Sequence, residues 1–172
     1  MIIGICGLIG SGKGTVADML VEQGFMKVSF ADKLKDGVAT IFGWDREMLE
    51  GDTDKSRSWR EQEDVFWTEE TGRSITPRIV LQEFGTECMR EGFYKGIWVS
   101  LLKKYLLDNP GNYVVPDVRF RNEQNMIREL GGEIWQVKRG QDPDWFPRAI
   151  IDNANPDTSN LMSGYDVHER QY

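Results

Sequence analysis

The segment GLIGSGKGT, residues 7–15, constrains this chain more than any other, because it follows an apolar run, MIIGIC, and leads into GTVADMLVEQ. Val16, Met19 and Leu20 recur there at helical spacing, so the local order reads strand, glycine loop, helix. Glycines at Gly7, Gly10, Gly12 and Gly14 let successive backbone N–H groups turn toward one centre. The helix that starts near Lys13 adds the positive end of its dipole. Such a loop holds phosphate oxygens, with Lys13 placed to reach the phosphoryl group in transfer. The pattern is GxxxxGK followed by Gly14 and Thr15, one residue away from the strict form in which Ser or Thr follows the lysine directly. Gly10, Ser11, Gly12, Lys13, Gly14 and Thr15 are therefore the candidate nucleotide-binding residues.

Downstream, apolar strands keep alternating with amphipathic stretches. Phe25 to Phe30 reads as a short strand, and Ala31 to Phe42 as a helix with Leu34, Val38, Ile41 and Phe42 on one face. From Trp44 to Arg73 the chain turns charged and aromatic, with little periodicity beyond a helix around Glu61 to Glu69. A mobile insertion over the site is expected there. Thr76-Pro77 opens a further helix bearing Ile79, Val80, Phe84, Cys88 and Met89, and another is expected from about Tyr94 to Leu107. Asn112 to Val118 reads as a strand, Arg121 to Leu130 as a helix stopped by Gly131-Gly132, and Glu133 to Lys138 as a strand. The alternation predicts a three-layer α/β/α fold with a parallel sheet of about five strands and right-handed crossovers. All 172 residues are expected to form one domain, with a helical insertion at 44–75 and an irregular segment at 140–172.

Composition narrows the partners. A net charge of −7 argues against broad binding to nucleic acid or to an anionic membrane, which needs clustered Lys and Arg. A small anionic substrate stays compatible, because local arginines can outweigh the global sign. No apolar stretch approaches the roughly 20 residues of a membrane span, and MIIGICG lacks a basic leader, so a cytoplasmic protein is expected. Cys6 and Cys88 are isolated, support neither a disulfide framework nor zinc, and read as packed side chains.

Two further groups carry chemistry. In PDVRFRNE, Asp117 stands at the carboxyl end of an expected core strand, where ligands of open α/β sheets bind. A carboxylate there can hold Mg²⁺ or its waters, and Arg119 and Arg121 can clamp phosphate oxygens and neutralise charge in transfer. Taken singly, Asp117 reads as a helix cap and the arginines as solvated; taken together with the glycine loop, they read as functional. In TPRIVLQEFGTECMREGF, Arg78, Gln82 and Arg90 share a helical sector by spacing and suit a nucleotide monophosphate. Arg90 also satisfies the dipole of a helix C-terminus without any ligand.

The loop form GxxGSGKGT resembles that of nucleoside monophosphate kinases such as adenylate kinase, which implies that Thr15 serves the phosphates or their Mg²⁺. FADKLKDGVATIFG, LQEFGTECMREGF and PDVRFRNE, in that order, resemble phage-type deoxynucleoside monophosphate kinases across most of residues 1–140. The resemblance implies transfer of the ATP γ-phosphoryl group to a deoxynucleoside monophosphate, with Mg²⁺ and an arginine-rich mobile lid. It points to Asp32, Lys35, Arg78, Gln82 and Arg90 around the acceptor, and to a host cytoplasm for a chain of phage origin. Arg139 is a candidate adenine contact, and any of Trp59, Trp67, Trp98, Trp135 and Trp145 could stack on a base. The lone His168 lies in YDVHERQY, where the family pattern is His-Glu-Ser-Glu and Arg170 and Gln171 depart from it. Family members continue into a further strand where this chain stops at Tyr172, which reads as a shortened or compact form. A kinase for another small metabolite and a nucleotide-dependent switch remain the alternatives, and a homodimer stays open.

Overall fold

The computed structural model describes residues 1–8 and 10–140. Its strands are β1 (Ile2–Cys6), β2 (Met26–Lys27), β3 (Tyr113–Val115) and β4 (Glu133–Gln136). Its helices are α1 (Lys13–Glu22), α2 (Asp32–Phe42), α3 (Asp54–Arg60), α4 (Val65–Thr71), α5 (Pro77–Glu83), α6 (Ile97–Asp108) and α7 (Arg121–Glu129), with a π-helical stretch Phe84–Glu91 continuing α5. The chain divides into two compact units, one of Met1–Phe30 with the described residues from Leu102 on, the other Ala31–Leu101.

The first unit is an α/β sheet. Its strands pair in parallel in the order β2-β3-β1-β4, with Ile3 opposite Val114 on one side and opposite Glu133 on the other. β1 and β3 are central, and their β-branched residues are buried almost without interruption, as expected of parallel strands covered on both faces. Ile3, Ile5, Ala17, Leu20 and Val114 form the core, so α1 packs onto the sheet through its Ala17 and Leu20. Met19, expected on that face, is 56% exposed; Val16, Ala17 and Leu20 make the stripe instead. Four strands are present among the described residues against about five expected, each where an apolar run was read but shorter. At β2 the ladder is two residues long because it lies at the sheet's edge, with one further bond from Val28 N–H to Val114 O, 3.0 Å.

The second unit is helical, built around Val38, Leu49, Ile75 and Val80 with Leu34, Phe42, Trp44, Trp59, Trp67 and Phe84 packed against them. Phe42 stacks on Trp44 at 4.7 Å and meets Trp67 edge-on at 5.1 Å, contacts worth about 0.5–1.5 kcal/mol each beyond their burial. Trp59 and Trp67 thus fill core, and Trp98 is buried with its indole N–H donated to Gly85 O at 3.0 Å. Ile41, expected inside, is 59% exposed. The helix expected around Glu61 to Glu69 is α4, which starts later, at Val65, and α3 before it was not foreseen; Asp64 sets the later start. Its carboxylate accepts the Trp67 N–H at 3.1 Å and the Trp44 indole N–H at 2.8 Å, so it caps a new helix and ties it to the aromatic core. α3 has its own cap, with Thr53 and Ser56 exchanging side-chain and backbone bonds. Within this unit, α3 and α4 occupy the stretch expected as an insertion.

α5 starts as read, with Thr76 capping the Ile79 N–H at 3.2 Å and Pro77 in the first turn. Beyond Glu83 the helix widens: Gly92 N–H reaches Glu87 O at 3.0 Å and Tyr94 N–H reaches Met89 O at 2.9 Å. That change of pitch leaves Cys88 exposed, correcting its assignment as a packed side chain, whereas Cys6 is buried as expected. No helix among the described residues is long and apolar enough to cross a membrane. His168, Trp145 and the reading of the tail fall outside the described residues.

Candidate functional site

In the first unit, β1 delivers the chain into the glycine loop, and sterics there require glycine. At Gly7 an added Cβ would stand 2.4 Å from Val137 O and 2.6 Å from Ser11 Oγ. Gly12 adopts φ 97° immediately before α1, a left-handed conformation that side chains disfavour. Among the described residues no side chain caps α1, so its first-turn amides are left for a ligand, and a Cβ placed at Gly10, Gly12 or Gly14 would meet no described atom beyond its neighbours within 4 Å. Ser11 Oγ is buried in this loop without a hydrogen-bond partner among the described residues, as expected of a group awaiting one. Thr15 is exposed on the first turn of α1.

Lys13 crosses this loop. Its ammonium donates to Gly7 O at 2.7 Å and Leu8 O at 3.0 Å. Burial pushes its pKa below the ordinary lysine value, and the Arg119 guanidinium pushes it further the same way, against a smaller opposing effect of Cys6. Two cations therefore converge at the glycine loop, an arrangement that an anion would relieve.

Arg119 arrives from the other central strand. β3 ends at Val115 and the chain turns through Pro116 and Asp117 to Arg119, which is exposed. Asp117 Oδ2 accepts the Ser29 hydroxyl at 2.6 Å and Oδ1 accepts the Phe30 N–H at 3.3 Å, so the carboxylate joins the ends of β2 and β3. Glu123, read from sequence only as part of the helix opening, is 3% exposed. Its Oε2 accepts the N–H groups of Arg119 at 2.7 Å and Phe120 at 3.0 Å, which fixes the backbone that carries Arg119. A glutamate three residues into a helix start is a capping signature, so the signal was present in RFRNE. Arg121 is exposed at the first position of α7, and Arg139 is exposed beyond β4.

The second unit carries the other predicted residues, with different degrees of engagement. Asp32 lies 3.5 Å from Arg46, and Lys35, with a side chain only 14% exposed, pairs with Glu50 at 2.5 Å. Arg46 binds Asp36 at 2.7 Å and also pairs with Glu50, so Asp32, Lys35 and Asp36 of α2 join Arg46 and Glu50 in a network of five charged side chains not foreseen as a unit. Burial works to raise the Glu50 carboxyl, but its bonds to Lys35 and Arg46 outweigh this and hold it below the ordinary value. Arg78 Nη1 donates to Glu61 at 2.9 Å, and Gln82, one turn further along α5, is exposed. Arg90 is half-buried on the π-helical stretch, so the widened pitch, not the α period, sets its bearing from Arg78.

The residues suit magnesium in the form that nucleotides bring it. Mg²⁺ is held by one or two carboxylates with phosphate oxygens and waters, not by an all-protein cage. Among the described residues no group of three or more His, Cys, Asp or Glu forms such a cage, while the Thr15 hydroxyl beside the loop and the Asp117 carboxylate are hard oxygen donors.

A family model for deoxynucleotide monophosphate kinases matches residues 45–145. A protein of Acanthamoeba polyphaga mimivirus assigned to deoxynucleotide monophosphate kinases is 32% identical over 182 aligned positions, covering 97% of this chain and 86% of that protein. The deoxynucleoside-5'-monophosphate kinase of Escherichia phage T5 is 41% identical over 96 residues, 55% of this chain and 38% of the phage protein.

Proposed function

The chain belongs to the deoxynucleotide monophosphate kinase family, and from that premise we propose that it transfers the γ-phosphoryl group of ATP to a deoxynucleoside 5'-monophosphate, giving the diphosphate. The observation that carries this reading is the glycine loop itself, where the left-handed Gly12 leads into the uncapped start of α1 and Lys13 lies across the loop, its pKa lowered by burial and by Arg119.

In this reaction an oxygen of the acceptor's phosphate attacks the γ-phosphorus, the bond to the β-phosphate oxygen breaks, and ADP leaves. Little covalent work falls to the protein; its part is to position and to neutralise charge. The loop amides and the first turn of α1 hold the β-phosphate. Lys13, already bent over the loop, moves its ammonium from the carbonyls of Gly7 and Leu8 to the phosphoryl oxygens. Arg119 faces the charge that spreads over the γ-oxygens, with Arg121 behind it at the start of α7. Thr15 and Asp117 would hold Mg²⁺, which supplies charge neutralisation between the phosphates. The second unit offers the acceptor Arg78, Gln82 and Arg90, with Asp32 and Lys35 placed through their network with Arg46 and Glu50. Arg139 is the candidate for the adenine. Exclusion of water from the reacting groups would leave only weak ATP hydrolysis when no acceptor is present.

The test is a panel of deoxynucleoside monophosphates, ribonucleoside monophosphates, dephospho-coenzyme A and phosphomevalonate, each incubated with γ-labelled ATP. Labelled diphosphate from at least one deoxynucleotide is expected. Labelling of a non-nucleotide acceptor alone would move the assignment to another small-molecule kinase.

Glu123 enters this mechanism through Arg119. Glu123→Gln keeps the size of the side chain but weakens its two backbone acceptances, and each charge-assisted bond is worth about 1.5–3 kcal/mol. Turnover should fall roughly 10-fold or more at nearly constant KM for ATP, and steady-state kinetics checks it. A proportional rise in both KM values with unchanged kcat would place Glu123 in binding instead.

A further inference from the structure

Arg60 was not among the residues singled out from sequence, and its surroundings in the second unit are unusual. It stands at the last position of α3, half-buried. It makes no ion pair among the described residues, and its Nε is buried without a hydrogen-bond partner there. Its Nη1 reaches only the backbone carbonyl of Glu50, at 3.5 Å, the outer limit of such a bond. The carboxylates nearest to it are committed elsewhere: Glu61 holds Arg78 at 2.9 Å, and Glu50 holds Lys35 and Arg46.

The fold nevertheless makes room for this guanidinium. It lies across Gly51, where an added Cβ would stand 2.1 Å from Arg60 Cζ, and Gly51 has φ 70°. Burial lowers the pKa of Arg60 from its ordinary value, and the nearby Arg78 lowers it further, with Arg57 adding to the repulsion and Glu61 and Glu50 opposing it. A desolvated cation with an unmet donor, set beside a second arginine, is costly unless an anion completes it. A planar fork of N–H donors suits the oxygens of a phosphate monoester better than any single carbonyl.

We propose that Arg60 and Arg78, with Gly51 as the seat of the Arg60 guanidinium, form a binding site for a phosphate monoester dianion, occupied in turnover by the 5'-phosphate of the acceptor. The identity of the occupant rests on the kinase reading above; the anion site itself rests on the arginines. Arg60 is then the residue that holds the acceptor phosphate most deeply, with Arg78 exchanging its Glu61 partner for a phosphate oxygen. Glu61, released, turns to solvent at the helix end.

The experiment uses the full chain and the variants Arg60→Met and Arg60→Lys. Met preserves the buried stem without the charge, and Lys preserves the charge without the fork. Expected for Arg60→Met is a KM for the deoxynucleotide raised roughly 10- to 100-fold with the KM for ATP unchanged, the range for losing a charged hydrogen-bonding group. Arg60→Lys should fall between. The melting temperature of Arg60→Met should equal or exceed that of the parent, because a desolvated charge beside Arg78 has been removed. A lowered melting temperature with both KM values altered would mark Arg60 as structural and overturn the proposal. So would an unchanged acceptor KM. Inorganic phosphate separates this from the kinase reading. In a Lys13→Ala chain, where the glycine loop is weakened, binding of inorganic phosphate followed by ³¹P NMR should persist and be lost on adding Arg60→Met. If the parent phosphorylates no deoxynucleotide and this loss is still seen, the anion site stands and its assigned occupant falls. If the parent is active and phosphate binding ignores Arg60, the kinase reading stands and the site falls.

Discussion

Lys13→Ala is expected to lower phosphoryl transfer by roughly 10²- to 10³-fold, the range for removing one preorganised donor from a developing oxyanion, while leaving the fold intact. The physical case lies in what the lysine does before any nucleotide arrives. Its ammonium is half-buried, and it is repelled by Arg119, so its charge is costly where it stands. Two bonds to the carbonyls of Gly7 and Leu8 offset part of that cost and hold the side chain over the loop. Alanine removes the cost and the bonds together, so the melting temperature should stay near that of the parent. The core under the loop, Ile3, Ile5, Ala17 and Leu20, does not involve the lysine side chain. What alanine cannot supply is charge at the γ-phosphate, the group that gains negative character as it leaves ADP. An ADP-release assay coupled to a second enzyme reads the loss. Near-parental turnover would retire the mechanism.

Where sequence reasoning succeeded, the determinants were local. The glycine loop was legible because backbone conformation dictates its spacing: Gly12 needs its left-handed φ, and Gly7 has Val137 O against it. PDVRFRNE was legible for a similar reason, since the turn after β3 and the helix start after it are written in consecutive residues. Strand positions followed from short β-branched runs, and α5 from Thr76-Pro77. Misreadings occurred where a neighbour far along the chain decides. Met19 and Ile41 are as apolar as the residues beside them, and only the packing of α1 and α2 shows which edge of the stripe is left outside. Asp64 looks like one more acidic residue in a helical stretch until Trp44, twenty positions earlier, is found donating to it.

The π-helical stretch is a different kind of case. Phe84, Cys88 and Met89 fit an α period well enough to conceal a wider one, because spacings of four and five residues suit either pitch over so short a stretch. Its consequence reaches the candidate site, since Arg90 stands on it. Arg60 escaped notice because nothing in SRSWRE distinguishes an arginine that will be desolvated from one that will be solvated. The seat at Gly51 and the repulsion from Arg78 are contributed by residues 9 positions before it and 18 after it.

Arg119→Ala should separate rate from binding. Roughly 10³-fold is the lower end of what an arginine facing the transferred phosphoryl group contributes to turnover, and a loss of that order in kcat is expected with only few-fold changes in KM for either substrate. The backbone of the loop should hold its place, because Glu123 grips the N–H groups of residues 119 and 120, not the guanidinium. A second readout tests whether Arg119 stands beside Lys13 in the working protein. Arg119 lowers the pKa of Lys13, although burial lowers it more. Removing Arg119 must therefore raise the Lys13 pKa part of the way toward its ordinary value. The protonated lysine then persists to higher pH, so any alkaline fall of kcat/KM that reports this lysine in the free enzyme moves upward. A variant with kcat within about twofold of the parent would remove Arg119 from the chemistry. One with the expected loss but an unmoved alkaline limb would leave Arg119 on the phosphate and take away its coupling to Lys13.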